Sequence, residues 1–413
     1  MEKLKSKKPP IRFPEFKDNW EHTKLSELLS ETKKRNEDLK YGKDEVLSVS
    51  GELGIVNQIE HLGRSYAGVS VHNYHVVEPG NIVYTKSPLK ANPFGIIKLN
   101  KGKAGIVSTL YAVYKVNNKT AYGPWIDYYF SLDANTNRYL RPLVKKGAKN
   151  DMKINNAYVL HDRIFAPTIP EQKRIASFFS VLDKKINQLK QKKQLLEQYK
   201  KGVMQKLFSQ ELRFKDDNGK EFPKWEKTKI GKISSVYAGA TPSTLKSEYW
   251  GGEIRWMNSG KLNLKRVSEV ENRITEKGLK SSSTKLLPKC CILIGLAGQG
   301  KTRGTVAMNL VELCTNQSIA AILPNPEKFI SEFLYHNLDR RYIELRTLSK
   351  GDGGRGGLNL QIIKSVDILL PSLKEQNRIA DFITAIDQKI YRTENQIQQT
   401  QEWKKGLLQN MFV

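Results

Sequence analysis

Residues 295–302 of this 413-residue chain, Gly-Leu-Ala-Gly-Gln-Gly-Lys-Thr, fit G-x-x-x-x-G-K-[ST], the loop whose backbone N–H groups and lysine cradle nucleotide phosphates. They follow the apolar run Cys290–Ile294, as a phosphate loop follows a strand. That chemistry also needs a helix starting at Lys301-Thr302. Arg303-Gly304-Thr305-Val306 opposes one with a glycine and a β-branched pair. No apolar run ending in Asp-Glu offers a magnesium partner. The segment is therefore expected to be a Gly-rich turn between strands, with a P-loop NTPase acting on nucleic acid as the alternative reading. Asn92-Pro93-Phe94 lacks the second proline of the N-P-P-[YF] motif of adenine methylation, and no glycine-rich S-adenosylmethionine loop precedes it. His61, His72 and His75 have no companion Cys/His pair at zinc spacing. No Ser-His-Asp, Cys-His or paired-carboxylate arrangement stands out, so the chain is expected to carry no catalytic residue, no metal site and no cofactor of its own.

What remains is a supply of donors on polar loops. In the first half these are Lys86, Ser87, Lys90, Lys101, Lys103, Lys145, Lys146 and Lys149. In the second they are Thr241, Ser243, Asn258, Ser259, Lys261, Gln299, Lys301, Arg303, Lys350 and Arg355. Lys and Arg suit phosphates and guanine edges, and Asn and Gln suit adenine edges. With 69 Lys and Arg against 42 Asp and Glu, the net charge of +27 asks for a polyanion, most simply nucleic acid. Cys290, Cys291 and Cys314 form no disulfide framework and no C-x-x-C pair, which fits a reducing, cytoplasmic setting. No apolar run approaches the ~20 residues that span a bilayer, and Met1–Pro14 lacks the apolar stretch of a secretory signal. No membrane association is expected.

The elements that position these loops are written twice. Residues 167–209 align without gaps to 371–413, with 16 of 43 positions identical, including Pro167/Pro371, Glu171/Glu375, Gln172/Gln376, Arg174/Arg378 and Asp183/Asp387. Each half also opens alike: Trp20-Glu-His-Thr-Lys-Leu25 answers Trp225-Glu-Lys-Thr-Lys-Ile230. From Trp20 to Pro167 is 147 positions and from Trp225 to Pro371 is 146. Five stretches follow: a basic arm at 1–19, a domain at 20–166, a repeated helix at 167–209, a second domain at 210–370 and the second helix at 371–413.

Both repeated stretches have the seven-residue apolar spacing of a coiled coil. Ile175, Leu182, Leu189, Leu196 and Val203 form one series of the first helix, with Phe179, Ile186 and Leu207 between them. In the second, Ile379, Ile386 and Leu407 keep one series and Ile383, Ile390, Ile397 and Met411 the other. Leu189 and Leu196 are answered by Thr393 and Thr400, and Lys193 by Ile397, so the stripes are offset. Offset stripes suit two different helices packed on each other, and chain order makes that pair antiparallel with a pseudo-twofold relation. Each proline precedes its helix, where its missing N–H costs least. A helix of ~40 residues runs roughly 60 Å. The intervening segments read as α+β and strand-rich. Val46–Val49, Gly80–Tyr84, Gly95–Leu99, Tyr111–Val116, Glu253–Trp256, Cys290–Ile294 and Ser318–Ile322 read as strands, and Pro124–Leu132 and Lys328–Leu338 as helices. Residues 171–209 hold ten Lys and Arg against three acids, whereas 375–413 hold five of each. The first helix is thus a candidate to follow a DNA backbone.

Taken in order, these features resemble a specificity (S) subunit of a Type I restriction–modification enzyme. The resemblance rests on two domains alternating with helices opened by Pro-x-x-x-Glu-Gln-x-Arg-Ile-Ala (Pro167–Ala176 and Pro371–Ala380), and on the Trp-Glu-x-Thr-Lys openings. Thr241-Pro-Ser-Thr244 with Tyr249-Trp250, and Asn316-Gln317, add to it. It implies two target-recognition domains that each read half of a bipartite double-stranded DNA target, with the helix pair as a spacer. It also implies two methyltransferase (M) subunits that bring S-adenosylmethionine to adenine N6, and restriction (R) subunits that bring ATP and magnesium. The S chain itself would be non-catalytic.

Overall fold

The computed structural model describes residues 6–146, 152–298, 300–348 and 357–413. The chain divides into two compact units, Met1–Gln191 with Glu394–Val413, and Lys192–Thr393. The division falls within the two longest helices, Ile169–Phe208 and Leu373–Met411, so each unit holds a piece of both.

In the first unit, β1 (Trp20–Lys24) pairs antiparallel with β6 (Arg163–Ala166), joining the start of the domain to its end. Between them β2 (Leu29–Glu31), β3 (Ile82–Thr85), β4 (Ile96–Leu99) and β5 (Tyr111–Val116) form an antiparallel sheet in the order β2-β5-β3-β4. Ile82–Thr85 is buried throughout, as its unbroken apolar run requires. α1 (Gly123–Ser131) starts on Pro124 and lays Trp125, Ile126, Tyr129 and Phe130 into the core. β6 leads through Pro167 into α2 (Ile169–Phe208).

The second unit repeats the plan. β7 (Glu226–Lys229) pairs antiparallel with β13 (Asp367–Leu370), and a five-stranded sheet has the order β8-β12-β10-β11-β9. These strands are β8 (Val236–Ala238), β9 (Arg266–Val267), β10 (Ile292–Gly295), β11 (Val306–Asn309) and β12 (Ile319–Ile322). Only the short β9 runs parallel to its neighbour. α3 (Ser331–Asp339) corresponds to α1, and β13 leads through Pro371 into α4 (Leu373–Met411). The fold class is α+β, with a long helix between strand-rich domains along the chain.

The apolar series of the helices are buried at their domain ends. Ile175, Phe179 and Leu182 of α2 share one core with Leu408 and Met411 of α4, with Phe412 and Val413 that follow it, and with Trp20 and Trp125. In the other unit Met204, Leu207 and Phe208 of α2 pack with Ile379, Ala380 and Ile383 of α4, and with Trp225 and Phe333. In both units the two helices are therefore neighbours. At 150–250 Å² buried and ~25 cal/mol per Å², each fully buried aromatic contributes roughly 4–6 kcal/mol. Ile186, Leu189 and Ile386 are buried too, whereas Leu196, Val203, Ile390, Ile397 and Leu407 are half-buried. Thr393, which interrupts the apolar stripe in sequence, is buried, its hydroxyl donating to the Lys389 carbonyl one turn back at 2.8 Å. Among the described residues, no helix is long and apolar enough to cross a membrane.

Candidate nucleic-acid interface

The most heavily bonded repeated residues are anchors that fix each domain to its helix. Glu171, in the first turn of α2, is buried. It accepts both arms of the Arg12 guanidinium at 2.7 Å and the Trp20 indole N–H at 3.2 Å. Glu375 does the same in the second unit. Arg213 donates to it at 3.1 and 2.8 Å and Trp225 Nε1 at 3.2 Å. In both pairs the carboxylate raises the arginine's pKa, chiefly through the hydrogen bond. A buried carboxylate is tolerable only with such charge-assisted partners. The neighbouring glutamines bridge backbone. Gln172 accepts from Tyr122 N at 2.8 Å and donates to the Pro167 carbonyl at 2.9 Å, and Gln376 accepts from Ile330 N and donates to Pro371 at 2.9 Å each.

Sequence reasoning missed Arg12, Phe13 and Glu15, which were assigned to a basic arm at 1–19. Phe13 meets Phe178 edge-on at 5.7 Å and Arg174 reaches Glu15 at 3.4 Å. Phe214 meets Phe382 at 5.6 Å, and Arg378 pairs with Asp217. The paired Arg12-Phe13 and Arg213-Phe214 ahead of each Trp were the available signal.

The recognition-loop candidates meet in the second unit. The backbone of the 239–246 loop runs beside Thr315, with Ala240 N donating to the Thr315 carbonyl at 2.9 Å. Gly239 is required there, since a Cβ would lie 1.9 Å from that oxygen. Thr241 Oγ1 donates to Gln317 Oε1 at 2.7 Å, and Trp250 and Trp256 donate their indole N–H groups to the carbonyls of Ser243 and Ala240 at 3.2 and 3.0 Å. Asn316 N reaches the Met257 carbonyl at 3.0 Å, which brings Asn258 alongside. Thr241-Pro-Ser-Thr244, Tyr249-Trp250 and Asn316-Gln317, remote in sequence, thus form one polar ledge. Lys285, also missed, lies 3.7 Å from the Tyr237 ring beside it.

The other donors are more scattered. Asn258 caps the short helical turn that holds Ser259 and Lys261, and Lys261 reaches Glu271 at 3.3 Å. Lys90 and Lys103 are exposed, as is Ser87, whose N–H donates to Thr85 Oγ1 at 3.2 Å. Lys86 is half-buried, and burial lowers its pKa. Lys101 pairs with Asp127 at 2.6 Å and approaches the Tyr128 ring at 5.4 Å. Lys145 is exposed on a two-residue strand that also includes Lys146, whose side chain lies outside the described residues. Lys149, Gln299, Lys350 and Arg355 also lie outside them. Of the three discounted histidines, His61 and His72 are exposed. His75 is buried beside Arg35 at 2.9 Å, its pKa pushed down to about 4 by burial and then by Arg35.

The phosphate-loop match is a hairpin turn. β10 and β11 pair antiparallel, with Ile294 opposite Val306, and Gly304 N donates to the Gly295 carbonyl at 2.9 Å. No helix starts at Lys301-Thr302. Gly295 is needed because a Cβ there would lie 2.3 Å from the Thr302 carbonyl, and Gly304 because its φ is +80°. Lys301 is exposed and Arg303 half-buried. Among the described residues, no group of His, Cys, Asp and Glu could hold a metal ion.

Residues 223–401 match the Type I restriction modification DNA specificity domain. Among curated proteins, the Type I restriction enzyme MjaIX specificity subunit of Methanocaldococcus jannaschii is 32% identical over 212 residues, covering 50% of this chain and 48% of that one. The EcoR124I/EcoR124II specificity subunit of Escherichia coli is 30% identical over 161 residues, covering 38% and 40%. The matched stretches thus span about half the length of these relatives or less. Among solved structures, the S subunit of a Type I restriction–modification system from M. genitalium superposes with a TM-score of 0.59 at 14% identity, covering 98% of this chain and 99% of that one. Local sequence and whole-chain fold agree: residues 223–401 are a Type I restriction–modification DNA specificity domain, in a chain with the fold of the specificity subunits.

Proposed function

We propose that this chain is the non-catalytic DNA specificity subunit of a Type I restriction–modification complex. Residues 20–166 and 210–370 would each read half of a bipartite double-stranded target, and 167–209 and 371–413 would set the gap and dock partners. The observation that carries this reading is the duplication of the anchors. Arg12–Glu171–Trp20 and Arg213–Glu375–Trp225 fix a strand-rich domain to the start of each long helix by the same contacts. A duplicated mount suits two reading heads and two copies of one partner, the M subunit. S-adenosylmethionine, ATP and magnesium would then be held by M and R subunits, in the cytoplasm. A methyltransferase must extrude its adenine from the duplex, so it needs a separate part that fixes its place along the sequence.

Mapping methylated adenines in DNA from cells that express this chain with its methyltransferase tests the reading. A split motif whose halves change separately when 20–166 or 225–370 is exchanged is the expected result. A single contiguous motif, or ATP binding by the isolated chain that Lys301→Ala abolishes, would refute it.

A further inference from the structure

Among the several exposed leucines of each unit, one stands at the same place in the fold. Leu39 lies in the loop between β2 and the strand Leu47–Ser50 and is 59% exposed. Leu245 lies in the loop between β8 and the strand Trp250–Met257 and is 95% exposed. A lone exposed leucine is ordinary. The same one in both copies of a duplicated fold, each time followed by a lysine that lies over a tyrosine, is not. Lys40 Nζ is 5.6 Å from the Tyr41 ring and Lys246 Nζ is 5.2 Å from the Tyr249 ring.

Both loops are held by built-in bonds. Buried Asn36 donates to the Tyr41 carbonyl at 2.8 Å and accepts from Tyr41 N at 3.1 Å, closing the turn that carries Leu39 at φ +50°. In the second unit the two indole N–H bonds to Ser243 and Ala240 serve that purpose, and Pro242 beneath is buried. A rigid turn that holds an aliphatic side chain in water, beside a cation suited to phosphate, has the form of a probe for the apolar interior of a polyanion.

We propose that Leu39 and Leu245 are apolar wedges that enter the base stack of bound DNA, one in each half of the target. The proposal rests on the DNA-reading function above. It adds a means of local unstacking, in which the leucine displaces stacking contact and the neighbouring lysine holds the backbone. Thr241 and Ser243 flank Leu245 in the same loop and would bond the groove edge that it opens.

The test uses the chain assembled with its methyltransferase subunits, on duplexes carrying the mapped target with 2-aminopurine in place of adenine at successive steps, leaving out the methylated adenine and its direct neighbours, which the methyltransferase itself unstacks. Binding of the unaltered complex is expected to brighten one probe position in each half. Leu245→Ala should abolish brightening in one half and weaken binding on the order of tenfold, with an unchanged salt slope. Leu39→Ala should do so in the other half, and Leu245→Met should retain the signal. Lys246→Gln should instead lower the salt slope by about one. Brightening and affinity that survive both alanine variants would overturn the wedge while leaving sequence recognition intact. Weakened binding without any brightening in the unaltered complex would overturn it in favour of contact with a groove edge. A complex without sequence preference would overturn the underlying function as well.

Discussion

Lys200 Nζ lies 2.6 Å from Asp387 Oδ1, a pair that joins α2 to α4 within the second unit. Lys404 pairs with Asp183 within the first, and both partners are displaced by the same 204 positions. Each helix supplies the acid to one unit and the lysine to the other. The third member differs. Tyr128 donates to Asp183 at 2.7 Å, whereas His336 stands at the matching place, 3.9 Å from Asp387. Burial, reinforced by Lys200 and Arg266, drives the His336 pKa far down, so it is neutral there.

The anchors should be sensitive to the loss of charge alone. Glu375→Gln keeps the shape but removes the charge-assisted bonds to Arg213 and Trp225 in a buried setting. The second unit should lose about 2–4 kcal/mol in denaturant unfolding. Glu171→Gln should have a matching effect on the first unit through Arg12 and Trp20.

Stability should fall on mild acidification. His75 is held neutral in the fold with its pKa near 4, against an ordinary value of 6.5. The unfolded chain therefore binds more protons than the folded one between those values, and stability rises with pH across that window. The first unit should lose roughly 3 kcal/mol between pH 6.5 and 4 through this residue. Replacing His75 with Gln should flatten that part of the profile, measured by urea unfolding at stepped pH.

The polar ledge should govern one half of the target. Gln317→Ala removes the partner of Thr241 and a donor and acceptor for base edges. It should relax discrimination by about 1–3 kcal/mol at positions in one half, measured by competition binding, and leave the other half unchanged.

The lysines of α2 should act on affinity without regard to sequence. Exchanging Lys184, Lys185, Lys192 and Lys193 for Gln should lower the salt slope of binding by about three to four if α2 follows the DNA backbone. An unchanged slope would remove that helix from the interface.

Much of this architecture was legible in the sequence because duplication repeats a signal that one copy leaves ambiguous. The strands at Tyr111–Val116 and Ile319–Ile322, the helix start after each proline, and the turn at Gly295–Gly304 all follow from local chemistry. The roles of Glu171 and Gln172 did not. Their partners, Arg12, Trp20 and Tyr122, are remote in sequence, and a carboxylate at a helix start reads locally as a favourable first-turn charge. The half-buried Leu196 and Ile397 show the same limit. Seven-residue spacing marks a face but not how fully its neighbours cover it. The ledge was visible only as three separate motifs, since what unites Thr241 with Gln317 is the path of the 239–246 loop beside Thr315.

In the proposed function the duplicated helices set the gap between the two half-sites of the target. Deleting one matched heptad from α2 and from α4, away from the anchors, and mapping methylated adenines tests it most directly. Seven residues at ~1.5 Å each remove about 10 Å, or about three base pairs. The account predicts the same two half-sites with a gap shortened by about that amount. An unchanged gap with both half-sites still read would contradict it.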